Sequence, residues 1–408
     1  MGAIIEITKS TKQQNKNMDK KTLIINAGSV SKRHGFYIGD EKVAYTHFER
    51  CCDNNFSLSI THKGSKEKIA IVEKDFLNST EYFFNFLKEK NILQNKKDIN
   101  TIGLRIVAPG RHFLEDKIID DKYLKELINV KESAPLHIEP VIKEIEYLMK
   151  EFGKSKLIGV SDSKFHVDML ERFRYYSIKK SDTEKYDIRR YGYHGISASS
   201  IIRKIEQKEK KVPQNIIICH LGSGSSVTAV KNGKSFNTSM GFTPLEGLTM
   251  RTRVGNIDPG ALIYFAKKEN LNFEELENYL NTKCGLLGLS GQGDTRKIVS
   301  LAESGDKNAI LTLDIYSGDV KEFIGAYSAL LNGLDMLIFS GAIGEGSDII
   351  RSKICSEMEY LGIKIDKQKN KNTLDVDGFI EDGTLPVKVG VITTDEVEEI
   401  FQKSILSL

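Results

Sequence analysis

One theme occurs twice in this chain, and it constrains the fold more than any other feature. Residues 22–26 (TLIIN) are a short apolar run that empties into small residues, AGSVS; residues 215–219 (NIIIC) do the same ahead of HLGSGSS. A continuous apolar run of this length predicts a strand buried on both faces. Glycine and serine just after it predict a loop whose backbone can approach a ligand closely. Short alternating segments follow each run, at 35–38, 42–48 and 56–61 and again at 226–230 and 235–237, as in an antiparallel meander. Helical periodicity covers 76–90 and much of 121–152, with strands at 102–107 and 156–160. In the second half it covers 261–268, 273–280 and much of 307–331, before strands at 335–340 and 387–392. A helix is predicted from 347 onward, and 395–406 closes the chain as another. The pattern predicts an α/β protein of two halves with related architecture. Its expected division is a polar extension 1–20, a first domain of 21–163 plus 396–408, and a second of 164–395.

A chain of 408 residues is long enough for two cores. Its net charge is only +3, and the Lys-rich stretches 63–68 and 204–211 are interrupted by acidic or small polar residues. They read as solvated faces and loops, so a nucleic-acid partner is not expected. The five cysteines, Cys51, Cys52, Cys219, Cys284 and Cys355, include no CxxC pair. That usage fits reduced thiols, not a disulfide frame or a zinc site. The first twenty residues lack an apolar core of signal-peptide length, and Met18 is an alternative start. No apolar run approaches the roughly 18 residues of a membrane helix. A cytoplasmic protein with no membrane partner is the expectation.

Three loops have the chemistry to hold phosphate: 26–31 (NAGSVS), 220–226 (HLGSGSS) and 340–346 (SGAIGEG). Their amides and hydroxyls can donate to phosphate oxygens, and the third leads into a helix N-terminus. Any one of them reads more simply as a turn. Three at strand ends, two opening matching halves, predict a phosphate chain gripped between two domains. GxGxxG and GxxxxGK[ST] are absent, as is a protein-kinase HRD and DFG pair.

Ten blocks in order complete the picture: INAGSVS (25–31), RIVAPG (105–110), PLH (135–137), SDSKFH (161–166), RRYGYHG (189–195), CHLGSGSS (219–226), TSMGFTPLEGLTMRTRVGNIDPG (238–260), GLLGLSGQGDTR (285–296), FSGAIGEG (339–346) and TTDE (393–396). Together they resemble the acetate kinase family from residue 22 to the end. The resemblance implies a duplicated actin-like, ribonuclease H-like α/β fold of two domains with the active site in a cleft between them. It implies reversible in-line transfer from ATP to acetate, giving acetyl phosphate and ADP, with Mg²⁺ (Mn²⁺ as a substitute), in a homodimer.

By the same resemblance, Arg105 holds the substrate carboxylate, Arg253 stabilises the transition state, and His194 bonds the transferring phosphoryl group. Arginine suits these tasks because its planar fork donates two parallel hydrogen bonds; a lone arginine or histidine is more often structural. Asp162 matches an acid near the substrate or metal. The acceptor is already ionised near pH 7, which favours an electrostatic or metal-water role over general-base work. Asn26 and Glu396 match the metal positions; Glu396 also suits the first turn of a helix without any metal. Val107, Leu136, His137, Tyr193 and Pro244 match the acyl pocket, with His137 either orienting substrate or supporting it. For the nucleotide, Arg33, His220, Leu221, Gly222, Ser223 and Gly224 match the phosphate side. Asp294, Thr295, Arg296, Ala342, Ile343, Gly344, Glu345 and Gly346 match the adenosine side. His166 reads as scaffold.

Several positions depart from the family pattern. Arg33 stands for a lysine, Val30 and Ser223 for a serine and an asparagine, and Ala108-Pro109 for His-Gly; Pro109 removes an amide donor. Arg251, Val254, Asn256 and Gly346 alter two further blocks, and Tyr193 adds a hydroxyl where phenylalanine is usual. Arg251 adds charge near Arg253 and suits a more anionic partner. These departures leave open a propionate or longer-chain acyl kinase, and a pyrophosphate-dependent enzyme. A non-catalytic nucleotide-binding switch is the reading of a different class.

Overall fold

The computed structural model describes residues 20–50 and 55–407. Met18, Cys51, Cys52 and nearly all of the polar extension lie outside the described residues. The chain forms two compact units. The first comprises the described residues up to Ala108, then Glu115–Ser161 and the stretch from Glu396; the second comprises Pro109–Leu114 and Asp162–Asp395. The division expected from sequence kept 109–114 and 162–163 with the first half. Arg111, whose backbone and Nε bond to Asp187 at 3.1 and 2.8 Å, ties its short segment to the second unit.

In the first unit, β1 (Lys21–Ala27), β2 (Ser31–Ile38), β3 (Glu41–Arg50), β4 (Phe56–His62), β5 (Ser65–Ile71), β6 (Thr101–Ile106), β7 (Lys117–Ile118) and β8 (Lys156–Ser161) form one sheet. Its order is β5-β4-β3-β2-β1-β6-β8-β7. The continuous apolar run makes β1 a central strand, antiparallel to β2 and parallel to β6. β3 and β4 alternate buried and partly exposed positions, as half-buried strands do. β5 was not expected from sequence: Lys66, Glu67 and Lys68 carry it, and all but its last residue are exposed. A charged edge strand is solvated on both faces, so it lacks the apolar alternation that identifies a strand, and the same charges discourage edge-to-edge pairing. The helical run at 76–90 is two helices, Glu73–Leu77 and Ser79–Glu89, and that at 121–152 is Asp121–Asn129 and Pro135–Glu151. The closing helix, Glu396–Leu406, lies directly on this sheet. A Cβ at Gly103 would sit 2.2 Å from Ser404 Oγ, and one at Gly35 2.5 Å from Val397, so only glycine admits the helix this close.

In the second unit, β9 (Asn215–Leu221), β10 (Ser225–Lys231), β11 (Lys234–Thr238), β12 (Met336–Ser340), β13 (Gly378–Phe379) and β14 (Lys388–Val391) run in the order β11-β10-β9-β12-β14-β13. Here three antiparallel strands, where the first unit has five, lead into two parallel ones beside the first. β9 shows why its run is apolar throughout. Ile217, Cys219 and Leu221 pack with the helix Lys307–Leu331, while Ile216 and Ile218 pack with the helix Gly195–Glu209.

Candidate active site

At the end of β1, Asn26 is buried and stands opposite Arg33 in the β1–β2 register. Its Nδ2 donates to Glu396 Oε2 at 2.5 Å, and its Oδ1 accepts from Arg105 at 3.4 Å. Arg33 lies 3.6 Å from the same carboxylate oxygen. The first unit therefore brings together four predicted residues, Asn26, Arg33, Arg105 and Glu396, from two strands, a neighbouring parallel strand and a helix start. Glu396 is 7 % exposed, and burial of that carboxylate is tolerable because two polar groups face it. One carboxylate and one amide oxygen are a sparse, hard-oxygen donor set. Magnesium takes such a set when phosphates and water complete its shell, so these residues fit it. Among the described residues, no group of three or more His, Cys, Asp or Glu converges as a metal cage. Val107 and His137 are partly buried and Leu136 is 44 % exposed, the last two in the first turn of Pro135–Glu151.

The second unit holds the rest. The predicted loop 220–226 is tighter than its sequence suggests: β9 extends to Leu221 and β10 begins at Ser225, leaving a turn of three residues. Gly222 N–H closes that turn on the Gly224 carbonyl at 3.1 Å. Leu221 is fully buried and Ile343 is 8 % exposed, and both side chains pack into the core of this unit. Ser223 offers its carbonyl to the Arg251 N–H at 3.2 Å. A Cβ built on Gly224 would lie 3.3 Å from both Arg253 Nη1 and His194 Nε2. Two predicted catalytic side chains thus converge on the 222–224 turn.

His194 is held in place from several directions. Its φ of 58° is left-handed, a backbone that costs a non-glycine residue about 1–2 kcal/mol. Asp162, fully buried, accepts the His194 N–H on Oδ2 at 2.9 Å, and its carbonyl accepts the Gly195 N–H at 2.8 Å. His166 bonds to Ser235 and to the Tyr193 carbonyl, and burial pulls its pKa down to about 4. Tyr193 donates to the Phe242 carbonyl at 2.7 Å, so the added hydroxyl is absorbed by backbone. Phe242 N–H donates to Tyr176, and the Pro244 carbonyl accepts from Arg253 at 3.0 Å.

Asp294 caps the helix Thr295–Glu303 and pairs with Arg296, whose hydrogen bond holds the carboxyl below its usual range. Residues Gly341–Gly346 form a short helix in which Glu345 folds back to accept the Gly341 N–H at 2.8 Å. Ala342 and Gly346 are exposed. The Arg251 side chain runs along Gly293, with Nε 3.1 Å from a Cβ built there, so its charge lies beside the segment that leads into Asp294.

Sequence reasoning passed over three supporting residues. Arg190 donates to the carbonyls of Thr238, Ser239 and Met240 and pairs with Glu246, anchoring the 238–246 segment. Arg351, fully buried, donates to Gly344, Glu345, Asn370 and Thr373 and so fixes the 341–346 helix from beneath. Ser226 contacts the His194 ring. Arg190 and Ser226 sit in motif blocks, but a lone arginine in an amphipathic helix such as Asp348–Cys355 carries no signal of burial.

The repeated strand order defines the class: a duplicated, actin-like α/β fold of two domains. The acetokinase family model matches residues 21–402, and the chain belongs to that family. An acetate kinase of Carboxydothermus hydrogenoformans is 39% identical over 95% of this chain and 99% of its own. One from Sulfurovum sp. is 34% identical over 94% and 98%. The crystal structure of a propionate kinase from Francisella tularensis superposes with a TM-score of 0.85 at 32% identity, over 95% of this chain and 100% of the other.

Proposed function

We propose that this protein is an acetate kinase that transfers the γ-phosphoryl group of ATP to acetate, reversibly, as a cytoplasmic homodimer. The observation that carries this reading is the convergence of His194 Nε2 and Arg253 Nη1 on Gly224 of the phosphate turn. Transfer of a phosphoryl group asks for alignment and for donors around the equatorial oxygens, and these two groups supply both. A carboxylate oxygen forms a bond to phosphorus while the bond to the ADP oxygen breaks; no proton changes hands. Arg105 orients the acceptor carboxylate. Arg253 and His194 stabilise the charge that develops on the transferring group, and Asp162 holds His194 at its strained backbone. Val107, Leu136, His137, Tyr193 and Pro244 are the positions that the family resemblance assigns to the acyl group. His220, Gly222, Ser223 and Gly224 serve the phosphates, and the 294–296 and 342–346 segments serve the adenosine. Asn26 and Glu396 are the residues that would hold Mg²⁺, which when bound would neutralise phosphate charge.

A second reading, propionate as acceptor, is favoured by the likeness to the Francisella propionate kinase. One methylene in an apolar pocket is worth only about 1–3 kcal/mol, so both acids are within reach of one site. Hydroxamate trapping with acetate, propionate and butyrate against ATP, GTP and pyrophosphate, with and without Mg²⁺, tests both. Acetyl hydroxamate from ATP, lost on chelation, is the expected result. No acyl phosphate from any pair, with nucleotide still bound, overturns the enzyme reading.

A further inference from the structure

Ser226 is 1 % exposed on β10 and faces His220 in the β9–β10 register. Its Oγ lies 2.9 Å from His194 Nδ1. The His194 and His220 rings meet at 4.5 Å with 51° between their planes, so the imidazole is oriented by a ring neighbour as well as by the backbone contact to Asp162. With Nδ1 turned to Ser226, Nε2 is the nitrogen that lies beside Gly224 and Arg253.

In a neutral imidazole, one nitrogen carries the proton and the other a lone pair, and the partner of the first decides what the second offers. A lone pair on Nε2 would oppose the oxygens of a phosphoryl group, whereas an N–H there would bond to them. We propose that Ser226 is a positioning residue for phosphoryl transfer: its hydroxyl donates to His194 Nδ1 and keeps the ring proton on Nε2, facing the phosphate turn. The inference rests on the reading of His194 given above. It assigns a task to a buried serine that otherwise only fills a strand.

The test is two-bond ¹H–¹⁵N spectroscopy of histidine-labelled protein with Mg²⁺ and a non-hydrolysable ATP analogue, with His194→Gln assigning the signal. The wild type is expected to show the Nε2–H tautomer. Ser226→Ala is expected to show mixed tautomers, with kcat reduced about 10- to 100-fold, as when a group that orients a histidine is lost. KM for ATP and acetate should stay within about twofold, since no binding group is removed. Ser226→Thr, which keeps the hydroxyl, should restore both spectrum and kcat; thermal unfolding of each variant separates misfolding from the effect. An Nδ1–H tautomer in the wild type, or an unchanged His194 signal in Ser226→Ala, overturns the proposal. If His194→Gln turns over normally, the catalytic reading of His194 fails, and with it the catalytic task given to Ser226; the spectrum still decides whether the serine sets the tautomer.

Discussion

The two units share a strand order yet equip the loop after their first strand with different chemistry. In the first, β1 ends at Asn26, and a carboxylate, an amide and two guanidinium groups close on one another: Glu396 takes bonds from Asn26 and faces Arg33, while Arg105 faces Asn26. In the second, the loop after β9 is a three-residue turn with an imidazole and a guanidinium over a glycine, and Oδ2 of the buried Asp162 carboxylate accepts the His194 N–H. Topology therefore sets where a functional loop stands, and local residues set its charge. A balanced set suits a metal and an ionised acceptor; a donor-rich set suits a phosphoryl group.

The sharpest way to break this contrast is to remove one arginine from each unit. Arg253→Ala should lower kcat by about 10²–10³-fold or more, with nucleotide affinity kept, because a donor used in the transition state is lost. Arg105→Ala should act chiefly on KM for the carboxylate. Steady-state kinetics with both substrates varied decides; equal effects on kcat from the two variants would erase the division of labour.

Arg351→Met tests how far the second site depends on its foundation. The change leaves the carbonyls of Gly344, Glu345, Asn370 and Thr373 buried without their donor, for a loss of about 3–5 kcal/mol. Chemical denaturation should show that loss, and KM for ATP should rise more than KM for acetate.

A smaller effect comes from pH. Each unit contains a fully buried histidine, His34 in the first and His166 in the second, with burial pulling their pKa values down to about 3 and about 4. The ordinary value is 6.5. Unfolding therefore takes up protons below that pH, and stability is lost as pH falls from there toward the folded values. The slope is about 1.4 kcal/mol per pH unit for each group in that window. Thermal unfolding between pH 7 and 5 should show a falling midpoint, and His34→Gln or His166→Gln should each flatten it.

The mildest test is Gly346→Asn, which restores the residue usual in the family. A Cβ there meets nothing nearer than Asp375 Oδ1 at 3.4 Å, so the fold should be unchanged and KM for ATP should alter by no more than a few-fold. A large gain in ATP affinity would identify this departure as one that weakened the adenosine side.

Much of this was legible in the residues. The apolar runs that became β1 and β9 announced two buried central strands, because only a strand covered on both faces needs side chains apolar without alternation. The loops after them, and the blocks carrying Arg105, His194 and Arg253, could be read in order along the chain. β5 could not, since an exposed edge strand has no hydrophobic period to read. The length of the phosphate turn was hidden too, because Leu221 and Ser225 are compatible with either loop or strand until their neighbours pair with them.

By itself, then, the sequence determined the fold class, the family and the chemical types at the site, since periodicity and motif order are local and linear. Only the tertiary structure decided that Leu221 and Ile343 serve the core, that Tyr193 gives its hydroxyl to Phe242, that Arg351 is buried beneath the 341–346 helix, and that Ser226 meets His194. Each of those contacts joins residues whose side chains must be aimed by separate elements, and a side chain's direction follows from packing, not from its place in the chain.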